Sequence, residues 1–116
     1  MDEMVTADCI CHWPGEDFRG PEGYKEAVKR SRNAFPDLHI TIEDVLAEGE
    51  KVATRWTLRG TQKGELRGIA PTNKQVTVPG ITITREADGK IAEEWKSYDV
   101  MGMMQQLGVI PTMGRR

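Results

Sequence analysis

The chain has 116 residues, with 16 lysines and arginines against 18 aspartates and glutamates, and a net charge of −2 at neutral pH. This length predicts one domain, residues 1–116, with one core and room for one modest pocket. The charge balance argues against a nucleic-acid partner. No apolar run is long enough to cross a bilayer, and the first residues do not form a basic and apolar leader, so we expect a cytoplasmic protein that does not bind membranes.

Cys9 and Cys11 are the only cysteines in the sequence. Because they lie two residues apart, they cannot form a disulfide framework, and we expect reduced thiols. Together with His12 they form a Cys-x-Cys-His string that suggests a metal. Structural zinc normally takes four ligands, however, and His39 is the only other histidine. We therefore expect buried small side chains here and no metal site.

The first clear secondary-structure signal is a helix over about residues 21–35, because Pro21 suits the first helical position and apolar side chains follow at helical spacing. Residues 38–43 then alternate apolar and polar side chains, as a half-buried strand does. A turn at residues 48–51 joins this segment to a second strand, residues 51–61. These two strands should form an antiparallel hairpin.

A connection rich in Gly, Thr, Pro and Asn follows, residues 60–74. Its glycines do not have the spacing of a phosphate-binding loop, which argues against nucleotide binding. The β-branched segment 75–85 is predicted to be a strand. Within it, Pro79-Gly80 predicts a bulge or bend, since proline cannot donate a hydrogen bond to the neighbouring strand.

A second hairpin turn at residues 87–90 leads to a last strand, residues 90–100, and to a short helix, residues 101–107, that Gly108 stops. One helix before four meandering antiparallel strands is an α+β architecture. A strongly curved antiparallel sheet wrapped around helices would form a cone, and a ligand could sit inside it.

Several strings along the chain carry a family resemblance: Phe35-Pro36-Asp37-Leu38, Val52-Ala53-Thr54-Arg55-Trp56, Gly60-Thr61, Gly64-Glu65-Leu66, Asp88-Gly89-Lys90-Ile91, Trp95-x-x-x-Asp99 and Gln105-Gln106-Leu107-Gly108. Together they resemble the SnoaL-like polyketide cyclase or ester cyclase group, which has the nuclear transport factor 2-like fold, a cystatin-like roll. The resemblance covers about residues 5–108, and it is specific as a set.

This resemblance implies a cone with a deep apolar pocket, usually in a homodimer, and no metal or cofactor. The best-known members close a polyketide ring by intramolecular aldol condensation. Other proteins of the broader fold are isomerases, epoxide hydrolases, dehydratases or binding modules. The family usually opens with a long helix ahead of the segment that residues 2–5 resemble. We therefore expect the cone to lack one wall, either because the N terminus is truncated or because a partner subunit covers the gap.

Asp99 is the first candidate for chemistry. The Trp95-x-x-x-Asp99 spacing matches it to the aspartate that, in the polyketide cyclases, takes the proton from carbon and returns it. A carboxylate in apolar surroundings has a raised pKa, which suits a general acid or base. Alternatively, Asp99 only caps the last helix, since Asp is a preferred residue at that position.

Three more candidates lie in the first half of the chain. His12 resembles the family's histidine near the pocket mouth and could hold or protonate a substrate oxygen, or it is structural. Trp13 would supply a flat apolar wall of the pocket or pack in the core. At the position of Gln62 the family commonly has histidine. Glutamine can still hydrogen bond to a substrate, but it cannot exchange a proton near neutral pH.

Charged residues within the strands allow two interpretations. Arg55 and Glu93 have apolar neighbours, and we expect a structural ion pair, with each other or with Arg85. Alternatively, Arg55 polarises a carbonyl or stabilises an enolate oxygen in the pocket. Glu94 falls on the opposite face of its strand from Glu93, and we expect it to be solvated.

The end of the chain supplies the remaining candidates for substrate contact. Trp95 and Tyr98 lie close to Asp99 in sequence, and Met103 belongs to a run of methionines that could line an adaptable pocket or fill the core.

Three functions remain open from the sequence. One is a cofactor-independent enzyme that binds an apolar carbonyl compound and cyclises, isomerises, hydrates or dehydrates it, with Asp99 as general acid or base. The others are a non-catalytic module for a hydrophobic ligand and a dimerisation module. The expected partners are a small apolar molecule and a second copy of the chain.

Overall fold

The computed structural model describes residues 4–110. Within them, six strands form one sheet in the order β2-β1-β6-β5-β4-β3, and two helices complete the fold. The elements are β1 (Val5–Trp13), β2 (Glu16–Arg19), α1 (Gly20–Ala34), β3 (His39–Glu48), β4 (Lys51–Thr61), β5 (Gln75–Ala87), β6 (Lys90–Tyr98) and α2 (Val100–Leu107). Neither helix of this part of the chain is long and apolar enough to span a membrane.

The four C-terminal strands form the predicted antiparallel meander. Two-residue turns join β3 to β4 and β5 to β6. In the second turn, Asp88 and Gly89 have φ angles of 54° and 76°, the left-handed conformation that such a tight turn requires. The predicted α+β fold with a curved sheet is confirmed.

The sequence did not predict β1 and β2. β1 pairs in parallel with β6 and antiparallel with β2, so the complete sheet is mixed. The buried side chains of β1 include the small residues Cys9 and Cys11, which give a weaker alternation signal than the isoleucines of β3. β2 has only four residues, too few to show a period.

Helix α1 begins one residue earlier and ends one residue earlier than predicted. It buries Ala27 against Cys11 of β1 and Phe18 of β2. At its C-terminal end, Ala34 belongs to the larger core cluster. Small residues on this stripe let the helix lie close to the sheet.

Helix α2 buries Met103, Met104 and Leu107 against Val76 and Val78 of β5. Its C-cap is Gly108, with φ 80°, as its position after the apolar run predicts. Both helices pack on the same side of the sheet, which we call the inner face. The opposite side, which neither helix covers, is the outer face.

The last strands bring two corrections. The β4–β5 register runs without interruption from Lys51↔Arg85 to Thr61↔Gln75, so the predicted bulge at Pro79-Gly80 is wrong, while the alternative of a bend stays a prediction. Pairing of β5 with β6 begins only at Gly80, and Pro79 therefore needs no backbone donor on that side. The one irregularity in β5 lies between Arg85 and Glu86.

Glu94 is the other correction, because it is 9% exposed on the inner face instead of solvated. In the parallel pairing of β1 with β6, Glu94 lies beside the buried Cys11, on the side that α1 covers. The expected solvation rested on the position of Glu94 on the strand face opposite Glu93. The burial follows from β1, a strand that the sequence did not reveal.

Candidate ligand pocket

The inner face of the sheet encloses a pocket of about 740 Å³ together with α1 and the 62–74 loop. This volume suits a small organic molecule. Most of the wall is apolar, and its large apolar side chains include Trp13, Phe35, Leu38, Trp56, Leu58 and Met103. Charged and hydroxyl groups enter the wall at a few places, among them Arg67, Lys96 and Tyr98.

Two indole rings, those of Trp13 and Trp56, form part of this wall, and each is held in place. Trp13 packs edge-on against Phe18, with 5.2 Å between the ring centroids. Trp56 donates a hydrogen bond from Nε1 to Oγ1 of Thr82, at 2.9 Å. Gly80 lies directly opposite Trp56 in the β4–β5 register, and a Cβ atom there would overlap the indole ring.

Lys96 is the polar group between these two rings. Its Nζ atom lies 4.4 Å from the ring centroid of Trp13 and 5.8 Å from that of Trp56. Burial lowers the pKa of Lys96, and the charge of Glu94 on the same face of β6 opposes this shift. Among the described residues, Nζ has no hydrogen bond and no carboxylate within 4.0 Å.

Glu94 is buried beside Cys11. Burial raises the pKa of the Glu94 carboxyl, while the charge of Lys96 lowers it. Burial also raises the pKa of the Cys11 thiol and of the Tyr24 hydroxyl, each to about 12. Both groups are therefore protonated at neutral pH, and the thiol is a poor nucleophile.

The Tyr98 hydroxyl is positioned by a loop residue. Nη2 of Arg67 donates to the hydroxyl oxygen of Tyr98 at 3.1 Å and to the carbonyl oxygen of Pro14 at 3.0 Å. Arg67 and Gly68, with φ angles of 51° and 80°, form a tight turn closed by backbone bonds between Leu66 and Ile69. Because the Tyr98 oxygen accepts from arginine, its own proton is available to a ligand.

Three of the residues predicted to contact the substrate line this pocket: Trp13, Tyr98 and Met103. The other five, His12, Arg55, Gln62, Trp95 and Asp99, do not belong to its wall. Their functional roles stay predictions, and their surroundings are as follows.

Asp99 is exposed and is the N-cap of α2. Its Oδ1 atom accepts a hydrogen bond from the backbone N–H of Gly102, at 2.9 Å. This is the capping geometry that the sequence offered as the alternative to catalysis. A Cβ atom at Gly102 would overlap the Asp99 carboxylate, so glycine leaves room for the cap.

His12 lies on the outer face, between two carboxylates. Nε2 is 2.7 Å from Oε2 of Glu93, and Nδ1 is 3.1 Å from Oδ1 of Asp17. The hydrogen bond with Glu93 raises the pKa of His12 above its usual value and lowers that of Glu93. The imidazole also stacks on Trp95, with 5.7 Å between centroids.

Arg55 also lies on the outer face, where Nε donates to Oδ2 of Asp44 at 2.7 Å. The predicted pairing of Arg55 with Glu93 is therefore wrong. The alternative partner of Glu93, Arg85, is confirmed by a distance of 3.4 Å between Nη2 and Oε1.

Gln62 is fully buried and holds the 62–74 loop together. Its Nε2 donates to the carbonyl oxygens of Gly64 and Ile69, at 3.1 and 3.2 Å. Its Oε1 accepts from the backbone and the hydroxyl of Thr72, at 3.1 and 2.8 Å. These bonds occupy the donors and acceptors of the side-chain amide, so its observed role is structural.

Sequence reasoning missed Trp56, Arg67 and Lys96 as pocket residues. The alternation along β4 places Trp56 on one face with Val52, Thr54 and Leu58, but it does not show that this face is the inner one. Nothing local marks Lys96, because a lysine in a strand is usually solvated. The position of Arg67 depends on a loop that carries no regular pattern.

No group of three or more potential ligands suited to a metal ion occurs within residues 4–110. Cys11 and His12 are consecutive in β1, so their side chains point to opposite faces of the sheet.

Comparison with known proteins identifies the family to which this architecture belongs. The model of the SnoaL-like polyketide cyclase family matches residues 1–107. A comparison with curated proteins gave no significant match.

Several solved structures resemble the chain over most of its length. TsrD from Streptomyces laurentii is 31% identical, with a TM-score of 0.85 over 94% of this chain and 81% of that one. IdmH from Streptomyces antibioticus, a candidate polyketide cyclase, is 31% identical, with a TM-score of 0.76 over 93% and 84%. A Catenulispora acidiphila protein with a ketosteroid isomerase-like fold is 20% identical, with a TM-score of 0.79 over 93% and 79%, and supports the fold alone. The chain belongs to the SnoaL-like polyketide cyclase family.

Proposed function

We propose that the protein binds an apolar carbonyl compound in the inner-face pocket and catalyses proton transfer at the carbon beside the carbonyl, without a cofactor. One observation carries the proposal: a pocket with two indole walls also contains a lysine and a tyrosine hydroxyl. Ring closure by aldol condensation, isomerisation and dehydration all begin with this proton transfer, and the best-known family members perform the first of them.

Four wall residues have a defined task in this proposal. Trp13 and Trp56 provide flat apolar surfaces against which a planar ligand packs. The Tyr98 hydroxyl donates a hydrogen bond to the carbonyl oxygen, with Arg67 behind it at 3.1 Å. Negative charge develops on that oxygen when the proton leaves carbon, so a donor already fixed in place favours the transition state. Asp99 stays the candidate general base on sequence grounds, and its capping bond is the competing role.

Ligand binding can be tested through tryptophan fluorescence. Trp13 and Trp56 line the pocket, whereas Trp95 does not, so the Trp95→Phe variant reports from the pocket alone. We expect 2-acetylnaphthalene to change the tryptophan emission of this variant, with saturation as the ligand concentration rises. Loss of the Tyr98 hydroxyl in Tyr98→Phe should weaken binding about fivefold, equivalent to about 1 kcal/mol for one hydrogen bond.

The matched control is Tyr24→Phe, which removes the same atom from a residue outside the pocket wall. Catalysis is then measured by NMR in D₂O, as deuterium incorporation at the methyl group beside the carbonyl. Absence of saturable binding, or equal affinity in both tyrosine variants and the parent protein, would contradict the proposed ligand site. Binding without deuterium incorporation would leave a binding module.

We also propose that the protein is a homodimer that pairs through the outer face of its sheet. Ile81, Ile83 and Trp95 are 43%, 38% and 36% exposed there and form an apolar patch on two adjacent strands. Two ion pairs flank this patch, one between Arg85 and Glu93 and one between Arg55 and Asp44, so both positive and negative groups border it. A patch of this kind is complementary to a second copy of itself.

A further inference from the structure

We propose that Lys96 is a covalent attachment point, whose side-chain amine forms an imine with the carbonyl group of the bound ligand. This inference rests on the proposed function and deepens it, because it specifies the ligand as an aldehyde or ketone able to reach the pocket wall between Trp13 and Trp56.

The first support is the position of Lys96 among the lysines of the chain. The sequence contains seven lysines, and the other six are exposed. Lys96 alone is partly buried, and it alone contributes to the pocket wall. A carbonyl compound held in the pocket therefore meets one amine, while the remaining lysines stay in water.

The second support is the state of the amine. Most lysines on a protein surface are ammonium ions at neutral pH and cannot attack a carbonyl carbon. Lysines with apolar neighbours lose part of their solvation, which favours the neutral, nucleophilic form. Nζ of Lys96 lies between two indole rings, and burial lowers its pKa. No described hydrogen bond or ion pair has to be broken before it reacts.

Two features favour the charged form of Lys96 and limit the lowering of its pKa. The charge of Glu94 favours the ammonium form of Lys96. The indole faces also stabilise a cation, by about 0.5–2 kcal/mol for one such contact. The protonated imine carries the same positive charge at the same nitrogen, however, so the indole rings stabilise the product as well as the reactant.

The step needs no co-reactant. The lone pair of the neutral amine forms the N–C bond, and the π electrons of the carbonyl move to its oxygen. Transfer of one proton from nitrogen to oxygen gives a carbinolamine. Departure of that oxygen as water, with the second proton from nitrogen, leaves the C=N bond of a neutral imine. One proton from solvent water then gives the protonated imine. Tyr98, in the same wall, can donate a hydrogen bond to the leaving oxygen.

Reductive trapping tests the inference. The full chain is incubated with 2-naphthaldehyde and sodium cyanoborohydride, whose hydride reduces an imine to a stable amine, and peptide mass spectrometry then locates the added naphthylmethyl group. We expect it on Lys96, with loss of most incorporation in Lys96→Met and Lys96→Arg. The matched control is Lys90→Met, which removes an exposed lysine from the start of the same strand, and circular dichroism checks the folding of every variant. Equilibrium dialysis with 2-naphthaldehyde, and with 2-naphthalenemethanol as the analogue without a carbonyl, measures binding separately.

The possible results distinguish an imine at Lys96 from non-covalent binding in the pocket. Trapping at Lys96 in the parent protein supports the inference even if a Lys96 variant fails to fold, because the peptide map needs no variant. Saturable binding of both naphthalene compounds, with no adduct or with label spread over the exposed lysines, overturns the imine and leaves the proposed ligand site standing. If neither compound binds, the proposed function fails and the inference fails with it.

Discussion

The position of Trp56 in the pocket wall depends on a glycine, Gly80, in the neighbouring strand. Trp56 of β4 lies opposite Gly80 of β5, and its ring occupies the space where a Cβ atom would be. The glycine is needed here for close approach, since its φ is not in the left-handed region. We expect Gly80→Ala to destabilise the fold by about 1–3 kcal/mol, as overpacking of a core does. Chemical denaturation followed by circular dichroism measures this change.

A double-mutant cycle shows whether the indole ring is the cause. The atoms that Gly80→Ala would overlap are Cη2, Cζ2 and Cζ3 of Trp56, which phenylalanine lacks. The alanine substitution should therefore cost much less free energy in a Trp56→Phe background. An equal cost in both backgrounds would show that the glycine serves the backbone and not the ring.

At the outer face, the interaction of His12 with Glu93 makes stability depend on pH. The folded-state pKa of His12 is raised, so its contribution is complete below the usual value of 6.5 and is lost as the pH rises through the raised value. The pKa of Glu93 is lowered, so its contribution is complete above 4.5 and is lost as the pH falls. The interaction is therefore strongest between these two usual values.

This pattern predicts the behaviour of His12→Gln. The loss of unfolding free energy relative to the parent protein should be larger at about pH 5.5 than at about pH 9, because His12, which the variant lacks, changes charge in this range. Urea denaturation at both values provides the measurement. A Glu93→Gln variant should also lose stability at about pH 5.5, and by more than His12→Gln, because Glu93 also pairs with Arg85. A pH-independent loss in His12→Gln would refute the ion pair.

At the scale of elements, β6 serves two surfaces. Glu94, Lys96 and Tyr98 point to the inner face, whereas Glu93 and Trp95 point to the outer face. One strand thus carries both the polar groups of the pocket and the centre of the apolar outer patch. The parallel pairing with β1 keeps this strand inside the sheet, and Asp99 ends it by starting α2.

The junction between β6 and α2 gives a test of the two roles of Asp99. Asp99→Ala removes the bond to the backbone of Gly102 and should lower the unfolding free energy by about 1 kcal/mol. Asp99→Asn should leave stability within a few tenths of a kcal/mol, because asparagine caps a helix equally well. The asparagine variant therefore removes the basic carboxylate without removing the cap.

Deuterium incorporation into 2-acetylnaphthalene then separates catalysis from capping. A folded Asp99→Asn protein that binds the ketone but no longer exchanges its protons would establish Asp99 as the base. Normal exchange in this variant would leave the aspartate with its capping role alone.

For the molecule as a whole, the sequence revealed the features that depend on neighbouring residues. Two-residue turns fixed both hairpins, and the spacing of apolar residues located α1 to within one residue. β1 was missed because its buried residues are small, and its parallel partner lies about eighty positions away. The burial of Glu94 followed from that pairing and could not be read from β6 alone.

The site was less predictable than the fold for the same reason. Trp13, Tyr98 and Met103 were found, since large apolar or amphipathic side chains near a resemblance motif are reasonable pocket residues. The position of Lys96 depends on two tryptophans from different strands, which only the folded sheet brings together. Local polarity was misleading wherever the tertiary structure buries a charged residue.

The outer face supplies the last prediction, which concerns assembly. Ile83 lies beside Trp95 in the β5–β6 register, near the middle of the apolar patch. In a twofold interface the same patch contacts itself, so each substitution acts on both subunits. Ile83→Lys places an unpaired charge on each side of the interface, and we expect a monomer where the parent chain is a dimer. Sedimentation velocity over a range of concentrations distinguishes the two states. Met101→Lys is the matched control, because Met101 is 55% exposed on α2, away from the outer face. A parent chain that sediments as a monomer at every concentration, or a dimer that persists in Ile83→Lys and dissociates in Met101→Lys, would exclude pairing through the outer face.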